Sequence, residues 1–320
     1  MILNAHREKG RRLISRLPVQ QQASIKLGTC ILKLNEPRIM GIVNNTPDSF
    51  SGDGIGGDVK AAVRTGLSMF DTGADIVDVG GESTRPGAAP VELDEELRRT
   101  ITVIETLSKI HPGKVSIDTM KPEVAEAALY AGAAIVNDVS GLRNPRMREV
   151  VAEHDAAAVI MHMRGDPRTM QVRPRYRDVV EDIMIYLDAR IDEAQKAGID
   201  PRKIMIDPGI GFGKTIDHNL EILRRLGEFR TLGKPIVVGV SRKSFIGGIS
   251  GLPASDRLPG SIAAAVLAIR EGANIVRVHD VAETANALRV VHAIMTNGCR
   301  PGRALPSVCS SRSQCGSRSI

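Results

Sequence analysis

The sequence predicts an α/β fold, specifically a (β/α)8 barrel with an N-terminal β-hairpin plug. Three observations lead there. Eight short β-branched runs are almost continuously apolar, as parallel strands covered on both faces are. Amphipathic helical patterns separate the runs. A glycine joint recurs where each of several helices must stop and a strand begin.

The runs are Arg38–Asn44, Asp75–Gly80, Lys114–Thr119, Ala134–Asp138, Ala157–Met163, Lys203–Asp207, Pro235–Val240 and Asn274–Val278. Between them the helical period is clearest over Val59–Thr72, Leu93–Ile110, Val179–Ala197 and Gly260–Glu271, with a last helix from Val281 to near Met295. The joints are Gly73-Ala74, Gly132-Ala133, Gly198-Ile199 and Gly272-Ala273, where glycine takes the left-handed conformation that ends a helix at little cost. Eight β-α units in order favour a closed ring over an open sheet. A short hairpin ahead of them, Ile25–Leu27 and Cys30–Leu34 around Gly28-Thr29, is placed to plug the N-terminal end of the barrel.

Composition narrows the class further. The chain has 320 residues, 42% of them hydrophobic, but only 5 Phe, 3 Tyr and no Trp, so its core is aliphatic and base-stacking platforms for single-stranded nucleic acid are excluded. No apolar run is long enough for a transmembrane helix. The net charge of +6 belongs to the ends: residues 1–26 hold six basic residues against one acid, and residues 298–320 hold four with none. The body is therefore slightly acidic and no nucleic-acid platform. The expected organisation is a basic extension over residues 1–24, a barrel over 25–297 and a disordered Ser/Arg/Cys-rich tail over 298–320. Four cysteines without a C-x-x-C pair make a poor zinc site and suit a reducing cytoplasm, and the N-terminus lacks the apolar core of a secretory signal.

Barrels of this kind carry their chemistry at the C-terminal ends of the strands. Those ends read Asn44; Glu82 with Thr84 and Arg85; Asp118; Asn137 and Asp138; His162; Asp207; Arg242 and Lys243; Arg277 and His279. Asp118, Asn137 and Asp207 suit a flat heterocycle with amide and amino donors, because a carboxylate accepts two parallel N–H bonds and Asn both donates and accepts. Lys243, Arg277 and His279 are expected to supply positive charge for a phosphate or diphosphate, and Asn44 is the kind of neutral oxygen ligand that Mg²⁺ accepts beside phosphate oxygens and water. Two glycine-rich stretches imitate phosphate motifs. The segment from Gly209 to Thr215 has Pro208 where a P-loop needs its first glycine, and Gly52–Gly57 lies too far after its strand for a dinucleotide fingerprint, so it reads as a closing loop.

The same residues resemble a family in order. Met40-Gly-Ile-Val-Asn44-Asn-Thr-Pro-Asp-Ser-Phe50-Ser is similar to the opening signature of the dihydropteroate synthases, and Asp75-Ile-Val-Asp-Val-Gly-Gly-Glu82-Ser-Thr84-Arg85-Pro-Gly87 to their second. Ser116-Ile-Asp118-Thr, Asn137-Asp-Val-Ser-Gly141, Met161-His-Met-Arg-Gly165, Asp207-Pro-Gly-Ile-Gly-Phe212-Gly-Lys, Ser241-Arg-Lys243-Ser244 and Arg277-Val-His279 follow, across about residues 25–296.

The resemblance implies a TIM-barrel transferase of folate synthesis. Such an enzyme joins 6-hydroxymethyl-7,8-dihydropterin diphosphate to 4-aminobenzoate and releases diphosphate and 7,8-dihydropteroate. It implies pterin contacts from Asp118, Asn137, Met161, Asp207, Phe212 and Lys243. Diphosphate contacts fall to Asn44, Arg85, Arg277 and His279, with Mg²⁺ at Asn44. Aminobenzoate contacts fall to Thr84, Arg85, Pro86, Phe212, Lys243 and Ser244, and a homodimer forms through the last barrel helices. Asn45 stands where the family is usually apolar. Sulfonamides imitate aminobenzoate; some members are inhibited by them and others reject them, and the sequence leaves that choice to the loops around Thr84–Pro86 and Ser244–Phe245. The rivals are a pterin-binding corrinoid methyltransferase barrel, disfavoured because it has no diphosphate to hold with Lys243, Arg277 and His279, and a non-catalytic pterin-binding protein.

Overall fold

The computed structural model describes residues 22–46, 58–85 and 87–296. The expected N-terminal extension up to residue 21, the closing loop Gly52–Gly57, Pro86 and the tail from residue 297 lie outside the described residues.

A hairpin of β1 (Ser24–Leu27) and β2 (Cys30–Lys33) opens the fold, turning at Gly28, whose φ of 57° suits glycine. Eight parallel strands follow: β3 (Arg38–Asn44), β4 (Ile76–Gly80), β5 (Val115–Asp118), β6 (Ile135–Asp138), β7 (Ala157–Met161), β8 (Ile204–Asp207), β9 (Val237–Gly239) and β10 (Ile275–Val278). Their spatial order is β8-β7-β6-β5-β4-β3-β10-β9, and a parallel bridge between Ile206 and Ile236 joins the two ends. The chain is therefore a closed (β/α)8 barrel with a hairpin, as the sequence predicts. Several strands are shorter than their apolar runs. The run into Met163 pairs only as far as Met161, and His162 and Met163 begin the loop beyond it.

The surrounding helices are α1 (Val59–Thr72), α2 (Leu93–Ile110), α3 (Pro122–Tyr130), α4 (Pro145–Glu153), α5 (Val179–Lys196), α6 (Ile216–Arg224), α7 (Ser244–Ser250), α8 (Leu258–Arg270) and α9 (Val281–Thr296). Local chemistry explains their ends. Asp58 accepts from the N–H groups of Lys60 and Ala61 at the start of α1, and Asp178 from Val180 and Glu181 at the start of α5, covering donors a first turn leaves open. The four expected helix-stop glycines, Gly73, Gly132, Gly198 and Gly272, have φ of 121°, 105°, 98° and 108°. No described helix is long and apolar enough to cross a membrane.

Alternate strand residues face opposite sides, so the interior of the ring and its wall form separate cores. Between wall and helices lie Val43, Val77, Ile117, Val136, Ile160 and Val276 with helical side chains such as Ile104, Leu107 and Leu187. Inside the barrel, near the N-terminal strand ends, Met40, Ile76, Ile135, Val159, Met205, Val237 and Ile275 pack with Ile25, Leu27, Leu32 and Leu34 of the hairpin segment. The hairpin is thus a stopper with an apolar underside, and polar groups are left to the opposite rim.

The stopper is part of the core energetics. Leu27 is 1% exposed. Leu27→Ala should lower the unfolding free energy by about 2–5 kcal/mol, read as a shift of the urea midpoint. A midpoint equal to that of the unsubstituted chain would mean the hairpin is only an attachment.

Candidate active site

Strand register decides which polar groups enter the barrel. Asp118 pairs in register with Asn137, Met161 with Asp207, and Asp78 with Ser116, which sets the inward-facing side chains of neighbouring strands in layers. Above the apolar floor formed by Ile76, Ile135 and Ile275, the interior turns polar.

Arg277 occupies its centre. Its Nε donates to Asp78 Oδ2 at 2.6 Å and its Nη2 to Asp118 Oδ2 at 2.6 Å, while Asn137 Nδ2 donates to the same Asp78 oxygen at 2.9 Å. Asp78 is fully buried and Asp118 nearly so. Asp118 Oδ1 and Asp78 Oδ1 are buried with no hydrogen-bond partner among the described residues. Burial pushes the Asp118 carboxyl up to about 7, against the pull of Arg277 and with help from Asp78, Glu96 and Asp138. Burial also disfavours the Arg277 charge, but Asp78 and Asp118 outweigh it and hold the guanidinium more firmly protonated than usual.

A second part of the rim comes from the loop after β8. Asp207 Oδ1 accepts from the Gly209 N–H at 2.7 Å. Gly209 has φ of 72°, and a Cβ there would stand 1.9 Å from the His162 carbonyl oxygen, so no side chain fits. The turn carries Phe212 beneath Lys243, whose Nζ lies 4.0 Å from the ring centroid, a cation–π contact. Burial raises the Asp207 carboxyl and lowers Lys243 to about 8, each partly offset by the other's opposite charge. Phe212 also packs on Val139, Met161, Met163 and Met170, an apolar wall next to the charged groups.

Asp118, Asp207, Lys243 and Arg277 thus act on one another electrostatically within one site: Arg277 is felt by both acids and by Lys243, and Asp118 by Lys243. Arg85 also reaches Lys243 and His279 through its charge. Thr84 is half-buried in the loop after β4, and Ser244 opens α7 directly after Lys243. Asn44 ends β3, with its Oδ1 3.7 Å from where a Cβ on Gly80 would stand.

The structure corrects other expectations. His279 does not add positive charge: burial, then Arg277, Arg242 and Arg85, push its imidazole down to about 3, so it is neutral. Its Nδ1 lies 3.0 Å from Ser241 Oγ. Four of the polar strand ends serve the scaffold. Asp138 accepts from the Ser140 and Leu142 N–H groups, and Arg242 forms a two-point ion pair with Asp280. His162 receives a hydrogen bond from the buried Lys214 Nζ at 3.0 Å, and Glu82 pairs with Lys121. The sequence reading missed Asp78. Its signal was present, since a lone acid inside the apolar Ile76–Gly80 run needs a cation once buried. Two surface cavities, of about 490 and 260 Å³, lie beside Tyr176, and none of the four rim charges lines them.

Comparison with known proteins gives the family and the fold. The pterin-binding enzyme family matches residues 40–279. The dihydropteroate synthase of Escherichia coli (strain K12) is 46% identical over 265 residues, covering 83% of this chain and 94% of that protein. That of Bacillus subtilis (strain 168) is 42% identical over 261 residues, covering 81% and 89%. Among solved structures, Yersinia pestis dihydropteroate synthase with a sulfonamide drug complex superposes with a TM-score of 0.83 at 40% identity, covering 85% of this chain and 99% of that one. Xanthomonas albilineans dihydropteroate synthase in complex with 7,8-dihydropteroate gives 0.76 at 44% identity, covering 85% and 98%.

The central triad makes a titration prediction. The carboxyl carbon of Asp118, followed by ¹³C NMR, should show an apparent midpoint near 7. Because the folded state keeps a proton there that the unfolded chain releases near 3.8, this group's contribution to stability should fall as pH rises from about 4 to 7 and stay constant above. Arg277→Gln should move the midpoint higher still. A midpoint near 4 would contradict the described burial.

Proposed function

The chain belongs to the dihydropteroate synthase family of pterin-binding enzymes, and on that premise we propose how its residues divide the work of joining 6-hydroxymethyl-7,8-dihydropterin diphosphate to 4-aminobenzoate. The observation that carries the reading is the meeting, at one rim, of buried acids with Lys243 and Arg277 beside an apolar wall.

The pterin lies against Met161 and Phe212, with its amide and amino edge on Asp207, Asn137 and Asp118. A flat ring needs such a slot: apolar faces above and below and acceptors at the edge. Lys243 caps the ring next to Phe212. The bond that breaks joins the pterin methylene to a diphosphate oxygen, and the electron pair leaves with the diphosphate. The electron-rich ring takes up the positive charge left on the methylene carbon, and the acids around it favour that charge. The amine nitrogen of 4-aminobenzoate then bonds to the methylene and loses one proton. An aromatic amine needs no strong base for this.

The leaving diphosphate falls to Arg277, Arg85 and His279. Well-placed donors to developing charge are each worth roughly 3–4 kcal/mol of transition-state stabilisation. A neutral His279 suits the task as a donor: in the tautomer whose Nδ1 accepts from the Ser241 hydroxyl, Nε2 carries the ring proton. Asn44 suits Mg²⁺ as a single neutral oxygen ligand. Among the described residues no group of three or more His, Cys, Asp or Glu side chains is arranged to hold a metal, so most of the ion's ligands would be diphosphate oxygens and water. Mg²⁺ bound there would neutralise charge on the departing diphosphate.

Thr84, Arg85 and Ser244 border the aminobenzoate. A sulfonamide that binds this chain competes for that subsite and not for the pterin slot, whereas turnover unaffected by the drug places the chain with the members that reject it. Leu267 on α8 and Val290, Ile294 and Met295 on α9 are exposed apolar side chains, which supports a homodimer through these last helices. A cytoplasmic location is the reading that the low cysteine count without a C-x-x-C pair supports.

Mixing both substrates with Mg²⁺ should release diphosphate and form 7,8-dihydropteroate. Absence of both products from folded protein would refute the assignment. Positional isotope exchange in the diphosphate, without amine present, tests whether bond breaking leads. Asp207→Asn should weaken pterin binding by about 1–3 kcal/mol in titration calorimetry, through loss of a charged acceptor. Unchanged binding would remove Asp207 from the pterin edge.

A further inference from the structure

Behind the rim, on the side of α2, lies a buried ionic cluster that the chemistry above does not use. Lys121, the residue before α3, points its Nζ at Glu96 Oε2, 2.5 Å away, and at Glu82 Oε2. Thr119 Oγ1 donates to the other Glu96 oxygen at 2.6 Å and accepts from the Lys121 backbone N–H at 3.1 Å. The Glu96 side chain is 1% exposed and that of Glu82 13%, so two carboxylates are withdrawn from water and one ammonium bridges them. Such a cluster holds geometry firmly, because losing the cation leaves two like charges buried together.

What it holds is the start of the loop after β4. One turn along α2 from Glu96, Arg99 Nη1 donates to the Gly81 carbonyl oxygen at 2.9 Å. A Cβ on Gly81 would lie 2.8 Å from Thr100 Cγ2 and 3.0 Å from Glu96 Cγ, so the backbone rests directly on α2. The Arg99 carbonyl also accepts from Asn45 Nδ2 at 2.8 Å, which ties the residue just after β3 to the same helix face. Gly81 is fixed by packing and one hydrogen bond, Glu82 by Lys121, and the next residues are Ser83, Thr84 and Arg85.

We propose that Lys121 is a positioning residue for the aminobenzoate side of the site: by bridging Glu82 to Glu96 it fixes the loop that presents Thr84 and Arg85. This rests on the reading that Thr84 and Arg85 border aminobenzoate. The pterin slot stands on β5, β6 and β8 and the loop after β8; the cluster meets it only through Thr119, which follows Asp118, and through the Glu96 charge, whereas its Lys121–Glu82 arm runs to the loop after β4.

Lys121→Met tests it, with Lys121→Arg and Glu82→Gln as companions. Lys121→Met should raise KM for 4-aminobenzoate by about tenfold or more at saturating pterin diphosphate, the scale a misplaced binding group produces, while the dissociation constant of the pterin diphosphate stays within about twofold. Lys121→Arg, which keeps a cation on both carboxylates, should restore most of the loss. Glu82→Gln, isosteric and so less prone to misfold, should repeat the Lys121→Met effect in weaker form. A Lys121→Met enzyme with unchanged aminobenzoate KM, or with equal losses for both substrates that Arg does not rescue, overturns the proposal. Thr84→Ala separates the two readings. If it raises aminobenzoate KM and Lys121→Met does not, the positioning role alone fails. If neither does, the aminobenzoate subsite is misplaced.

Discussion

A guanidinium enclosed by a ring of parallel strands must be neutralised where it stands, and Arg277 is: two carboxylates, Asp78 and Asp118, each lie 2.6 Å from its nitrogens. Inside a water-poor barrel an uncompensated charge costs several kcal/mol, so neither acid can turn away without a penalty on the scale of the protein's whole stability. That constraint orders what surrounds it. Asp78 holds Asn137 through a shared oxygen, Asp118 is kept partly protonated at neutral pH, and Arg277 in turn bears on Asp207 and Lys243. One cation among buried acids thus shapes both the proposed pterin edge and the proposed diphosphate end.

The barrel divides its duties by height. Near the N-terminal strand ends the interior is closed by aliphatic side chains and the hairpin, which removes water from beneath the site. At the opposite rim the same strands present charge. Between strands and solvent, connecting segments are held by separate devices: Lys214 threads back to His162 and the Phe212 carbonyl, and Glu96 and Arg99 receive the segments after β3 and β4. Rigid strands carry most of the groups proposed to hold the pterin, while those proposed to border aminobenzoate depend on how well their loop is tied down.

Much of this was legible in the sequence. The eight barrel strands were, because burial on both faces writes a nearly continuous apolar run, and the four helix-stop glycines marked the joints through a conformation other residues avoid. Strand ends were legible too, yet polarity at an end does not say which way a side chain points. Asn137 faces inward and Asp138, one residue on, turns to its own loop N–H groups; only register separates them. Asp78 was hidden for the converse reason, lying in mid-strand where the reading looked for core. The neutrality of His279 and the Lys121 cluster were beyond reach, because both arise from groups distant in sequence and brought together by closure of the ring.

The central claim is that Arg277 and Asp78 act as one buried unit, and a double-mutant cycle on stability tests it most directly. Asp78→Asn, Arg277→Met and the double variant would be compared with the unsubstituted chain by denaturant unfolding. The account predicts that each single change costs about 3–5 kcal/mol and that the double change costs clearly less than their sum, with a coupling of at least about 1.5 kcal/mol. Additivity within about 0.5 kcal/mol would show two independent side chains and contradict it.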